Sequence, residues 1–123
     1  NNLPQFVAIY NQDKNSLSDR AIAKVSATEA SMESLRNGDS SQIYLEDAKS
    51  ENYWVIEEDN NNYLIPKRNI KIDSHKLETV QALFDCPGYY ETYSYFQLTK
   101  PAKVSKASSG YWQLEERGEL SFS

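Results

Sequence analysis

A chain with one cysteine, one histidine and four glycines is short of the parts that most site chemistry requires. Cys86 has no partner for an intramolecular disulfide, so a reducing, cytoplasmic address is the natural expectation. One Cys and one His fall below the usual ligand count of a zinc site. His75, the only imidazole, stands beside an expected helix cap at Ser74, a polar surface position rather than the base of a nucleophilic dyad. Cys86 closes an apolar helical stretch, where a free thiol behaves as a small core residue. The scattered glycines supply neither G-x-G-x-x-G nor a P-loop, so no cofactor is expected. No apolar run approaches the ~20 residues that span a bilayer, and no charged-then-apolar leader opens the chain. Membrane contact is therefore not expected. The opening Asn1-Asn2-Leu3-Pro4 lacks Met, which suggests a domain excised from a longer protein.

What is present is aromatic and acidic. Nine Tyr, four Phe and two Trp supply much of an apolar fraction of 39%, too aromatic for a disordered tail. The 123 residues suit one compact domain, 1–123, burying roughly two-thirds of its unfolded surface. A net charge of −5 argues against non-specific binding to nucleic acid or anionic lipid. The charge is uneven, however. Lys100, Lys103 and Lys106 occupy a stretch without carboxylates, and Lys67, Arg68, Lys71 and Lys76 stand against Asp73 alone.

Along the chain, Phe6–Tyr10 is β-branched and aromatic and reads as a first strand. Residues 21–25 read as a second. Ser26-Ala27-Thr28-Glu29 has capping-box spacing, predicting a helix over about 27–37 that stops at Gly38. Residues 42–46, 53–57 and 63–65 form a meander with "EDNNN" (58–62) as its turn, since Asn and Asp tolerate left-handed backbone angles. Asn69–Ile72 resumes as a strand after Pro66. Leu77, Val80, Leu83 and Phe84 make one helical stripe, predicting a helix over 74–86 ended by Pro87-Gly88. Strands are expected at 94–99, 102–105, 111–116 and 119–122. The fold class is β-rich α+β: a curved antiparallel sheet or small barrel with two short helices.

"YWVIEED" (53–59) is almost restated as "YWQLEER" (111–117). At period 2, Trp54/Ile56 and Trp112/Leu114 become equivalent inward pairs. Chance likeness between two half-buried hairpins explains this as well as duplication does. Duplication implies two SH3-like halves, 1–73 and 87–123, joined by the 74–86 helix.

"YWVIEEDNNNYLIPKRNIKI", "ETVQALFDCPGY", "KPAKV" and "YWQLEERGELSF", together with the early "FVAIYNQ" and "VSATEASMESLR", resemble an uncharacterised β-rich domain family of cyanobacterial proteins. In those proteins the domain tends to close the polypeptide behind other regions. The resemblance implies an appended cytoplasmic module and carries over no catalytic residue.

Glu57-Glu58-Asp59 and Glu115-Glu116 offer one carboxylate per strand face, so paired acid–base work needs two strands to converge. The aromatic–basic combination is the stronger lead. Tyr89, Tyr90, Tyr93 and Tyr95 crowd "CPGYYETYSYF", with Lys100, Lys103 and Lys106 following and Lys67, Arg68 and Lys71 on a neighbouring strand. The segment 89–98 is expected at or beside a sheet edge, as the contact surface for a protein or peptide partner or a second copy of the chain. The ordinary alternative has these tyrosines capping the core and the lysines aiding solubility. The functional expectation is a non-enzymatic regulatory or protein-interaction module. A single-stranded nucleic-acid module is the alternative, and a carboxylate-dependent enzyme a more distant one.

Overall fold

The computed structural model describes residues 3–13, 16–38, 42–48, 52–67, 72, 74–90, 95–107 and 110–122. Six antiparallel strands close a barrel: β1 (Ala21–Ala27), β2 (Tyr44–Asp47), β3 (Tyr53–Glu58), β4 (Asn61–Pro66), β7 (Ala102–Lys106) and β8 (Tyr111–Glu116). Their order around the wall is β1-β2-β8-β7-β4-β3. A second sheet runs β5-β9-β6, from β5 (Phe84–Asp85), β9 (Gly118–Phe122) and β6 (Phe96–Lys100). Among the described residues three short α-helices, α1 (Phe6–Gln12), α2 (Glu29–Arg36) and α3 (Ser74–Leu83), and a 3-10 turn at Ser18–Arg20 accompany the sheets. Among the described residues no helix is long and apolar enough to cross a membrane.

The architecture is the β-rich small barrel that the strand spacing predicts. Asp59 and Asn60 turn the β3–β4 hairpin with φ of 52° and 66°, the left-handed pair of a type I′ connection. The expected strand at 69–72 falls largely outside the described residues, and Ile72 is buried without belonging to an element.

Three local expectations are corrected. Phe6–Tyr10 is helix, not strand: Phe6, Val7 and Tyr10 are buried at helical spacing while Ile9 faces out. Gln5 provides no side-chain cap, and the Glu58 carboxylate of β3 fills that role from a distance, accepting from the amides of Gln5 (2.7 Å) and Phe6 (3.3 Å). Tertiary contact thus satisfies amides that the local sequence leaves orphaned. The cap of α2 is Thr28, whose Oγ1 accepts from the Ser31 amide at 3.1 Å. Ser26 stays in β1 opposite Glu46, so the Ser26 capping box does not form. Helix α3 ends at Leu83 rather than 86, because Phe84 and Asp85 pair in parallel with Gly118 and Glu119.

Register decides which side chains face the lumen, since directly paired residues share a face. Leu45 pairs with Trp112, Val104 with Leu114, Leu64 with Ala102 and Val55, and Val25 with Tyr53. The inward residues of β3 are therefore Tyr53 and Val55, and Trp54/Ile56 is not the counterpart of Trp112/Leu114. Trp54 and Ile56 share the outer face with Ile65 and Tyr63 and are nonetheless buried. Helix α1 packs on that face: Phe6 meets the Tyr63 ring at 5.5 Å, and Tyr10 Oη donates to the Pro66 carbonyl at 2.8 Å. The heptads serve two different environments. Nor do the chain's two ends form equivalent units: β7 and β8 complete the barrel begun by β1–β4, while β6 and β9 leave it for the small sheet.

The two sheets are joined at a pair of adjacent corners, Pro101 between β6 and β7 and Arg117 between β8 and β9. A Cβ on Gly118 would stand 2.5 Å from the Lys100 carbonyl oxygen and 2.6 Å from the Ala102 nitrogen, so only glycine lets the corners nest.

Candidate functional site

The described residues of the expected aromatic–basic surface fall on several elements. β6 is an outer strand of the small sheet, with Phe96 and Leu98 buried on its inner side. Tyr89 is half-buried, edge-on to Phe122 with centroids 5.1 Å apart. Tyr90 and Tyr95 are exposed. Tyr93, Arg68 and Lys71 lie outside the described residues. Lys100 pairs with Glu116 at 3.1 Å, and Lys103 stands opposite Glu116 and Tyr63 in the register. Lys106, about 10 Å from Lys103 along β7, sits with Nζ 4.8 Å from the Trp112 ring centroid. Lys67 follows β4 and donates its amide to the Asn52 carbonyl. Lys100 and Lys103 thus flank Glu116 together beside Tyr63, while Lys106 and Lys67 stand apart.

The carboxylates are also separated. Glu58 is engaged by the amides of Gln5 and Phe6, with Arg20 at 3.9 Å. Glu57 is exposed opposite Asn62. Glu115 accepts from Ser105 Oγ at 2.6 Å, and Glu116 holds Lys100. Among the described residues no three of His, Cys, Asp and Glu gather as a metal site would require. Burial pushes the Cys86 thiol up to about 11; the Arg117 guanidinium pulls it back and the Asp85 carboxylate adds to the rise. A thiol so placed holds little thiolate at neutral pH.

Two concavities stand out. The larger, about 800 Å³, lies between α2, α3 and β8 over an apolar floor of Leu35, Ile43, Leu77, Ala82 and Leu114. Much of its charged rim is committed internally. Arg36 of α2 pairs with Glu78 of α3 at 3.1 Å, and Arg117 binds Asp85 at 2.7 Å and the carbonyls of Gln81 and Phe84.

The second, about 710 Å³, lies on the outer wall where β2 meets β8. Tyr44 pairs with Gln113 and Glu46 with Tyr111, so the two tyrosines occupy one diagonal of a four-residue platform and Glu46 and Gln113 the other. Tyr44 is 38% exposed and Tyr111 42%, each at the first position of its strand. The first turn of α2 walls one side with Glu29 and Ala30. Tyr44 is anchored to that turn at both backbone poles. Its amide donates to Ser31 Oγ at 2.9 Å, and its carbonyl accepts from the Thr28 amide at 2.9 Å. Among the described residues no lysine or arginine lines this concavity, and neither Glu29 nor Glu46 has an ion-pair partner.

Sequence reasoning missed this platform. Alternation along "YLE" and "YWQ" already sets Tyr44 with Glu46 and Tyr111 with Gln113 on polar faces; the missing fact is that β2 and β8 are neighbours. No protein-family model matches the chain, and no curated protein or solved structure matches it.

Proposed function

We propose that this domain is a non-catalytic, cytoplasmic protein-interaction module that presents the β2–β8 platform to a protein or peptide partner. One observation carries the reading: two half-exposed tyrosines stand on a rigid barrel wall, flanked by carboxylates that nothing among the described residues neutralises. Tyrosine suits a surface that must be wet when free and apolar when bound. Closure of the barrel and the anchoring of Tyr44 to α2 fix the backbone beneath the rings, so little ordering entropy is lost on binding. The resemblance to a cyanobacterial domain appended to longer proteins supports a part that works through what it touches. Glu29 and Glu46 disfavour the nucleic-acid alternative, because phosphates would face them with no cation between.

Selection of a random-peptide display library on the 123-residue chain tests this. Enriched peptides should lose binding to the Tyr44→Ser/Tyr111→Ser variant, whose melting temperature stays near that of the parent. Failure to enrich any peptide, or enrichment that ignores both substitutions, overturns the reading.

A further inference from the structure

We infer that the occupant of the platform is an extended, proline-rich segment carrying a basic residue; this rests on the reading above and names its partner class. The recurring modes of peptide recognition each require something a surface either offers or lacks. Strand addition needs an open edge, and β2 and β8 are paired on both sides within a closed barrel. An amphipathic helix needs a continuous apolar trough, whereas this floor is two phenols interleaved with Glu46 and Gln113. A phosphorylated or acidic motif needs cations, and among the described residues none lines the site. The polyproline II mode instead requires exposed aromatic rings against which pyrrolidine rings pack, and two such rings are what this floor presents.

Geometry agrees with that mode. Diagonal neighbours on a sheet lie roughly 7–8 Å apart, and one turn of polyproline II advances about 9 Å, a difference that outward-reaching phenols span. Prolines three residues apart would therefore rest on Tyr44 and Tyr111. A polyproline II backbone makes no internal hydrogen bonds and leaves its carbonyls open to donors. The two phenol hydroxyls and the Gln113 carboxamide are such donors, and among the described residues none has a hydrogen-bond partner. The carboxylates set the remaining requirement: Glu46 at one corner of the platform and Glu29 on the helical wall favour an arginine or lysine beside the proline run.

The probe is a fluorescein-labelled decapeptide with prolines at every third position and one terminal arginine, titrated into the chain by anisotropy. Two controls replace the arginine by glutamate or every proline by alanine. Each control should bind about tenfold more weakly or worse. Glu29→Gln/Glu46→Gln should abolish the preference for arginine over glutamate while leaving the preference for proline over alanine. If library-selected peptides bind through Tyr44 and Tyr111 but both controls match the probe, the proline-rich assignment falls and the interaction module stands. If the library yields nothing, both fall together.

Discussion

The carboxamide of Asn11 and the backbone of Leu98 exchange two hydrogen bonds of 2.8 Å each, the pattern by which one strand pairs with another. Asn11 lies in the last turn of α1, so the helix stands where a further strand would otherwise add to the β6 edge. Exposed edges invite pairing between chains, and this side chain blocks the invitation at its midpoint. Asn11→Ala should cost about 1–3 kcal/mol in urea denaturation, because it leaves two part-buried backbone groups unmet. It should also produce concentration-dependent self-association in sedimentation. Unchanged stability would mean that the bridge contributes nothing.

Gly118→Ala tests the nested corners. The added methyl meets the backbone of Lys100, Pro101 and Ala102, not a side chain that can swing away. Destabilisation of about 3 kcal/mol is expected. A shift within experimental error would show that the two corners separate easily.

Alkaline pH should unfold the domain early. Burial raises the phenol of Tyr10, and burial and then Cys86 raise that of Tyr53, while Cys86 itself is raised to about 11. Each holds its proton more tightly in the folded state than in the unfolded one. Their stabilising contribution is therefore complete below about pH 9 and declines as pH climbs toward 11. Cys86→Ala should flatten the decline in thermal midpoint between pH 9 and 11. Tyr10→Phe should lower stability at neutral pH by about 1–2 kcal/mol, since the Pro66 carbonyl loses its donor, and should flatten the decline above pH 10. Parallel pH profiles for parent and both variants would refute the assignment.

Tyr89 offers a change of opposite sign. Its hydroxyl is buried and has no partner among the described residues. Tyr89→Phe keeps the edge-on contact with Phe122 and removes the unmet polar atom. Stability should hold or rise by up to about 1 kcal/mol. A loss would reveal a partner for the hydroxyl.

Much of the strand map was legible because its signals are local. The aromatic and β-branched run in 53–56, the alternation in 111–116 and the turn at Asp59-Asn60 need no knowledge of the rest of the chain. Helix α1 was illegible because the carboxylate that meets its first amides belongs to Glu58, far along the sequence. The inward face of β3 was misread for a related reason: helix α1 buries the outer face, so both faces are apolar and alternation carries no information. The candidate platform is a property of β2–β8 adjacency, and no local pattern announces that Tyr44 and Tyr111 share a diagonal.

That adjacency also orders events during synthesis. β2 finds its second neighbour only when Leu45 can reach Trp112, so the barrel stays open until β8 has left the ribosome. Until then β1 to β4 can already pair with one another and β7 with β4, while the outward edges of β2 and β7 wait unpaired. Closing long loops last is slow and leaves those edges available to wrong partners. Truncation before β8 should therefore yield a chain that collapses but aggregates, since β8, the last of the barrel strands to be made, is the one that shuts the barrel.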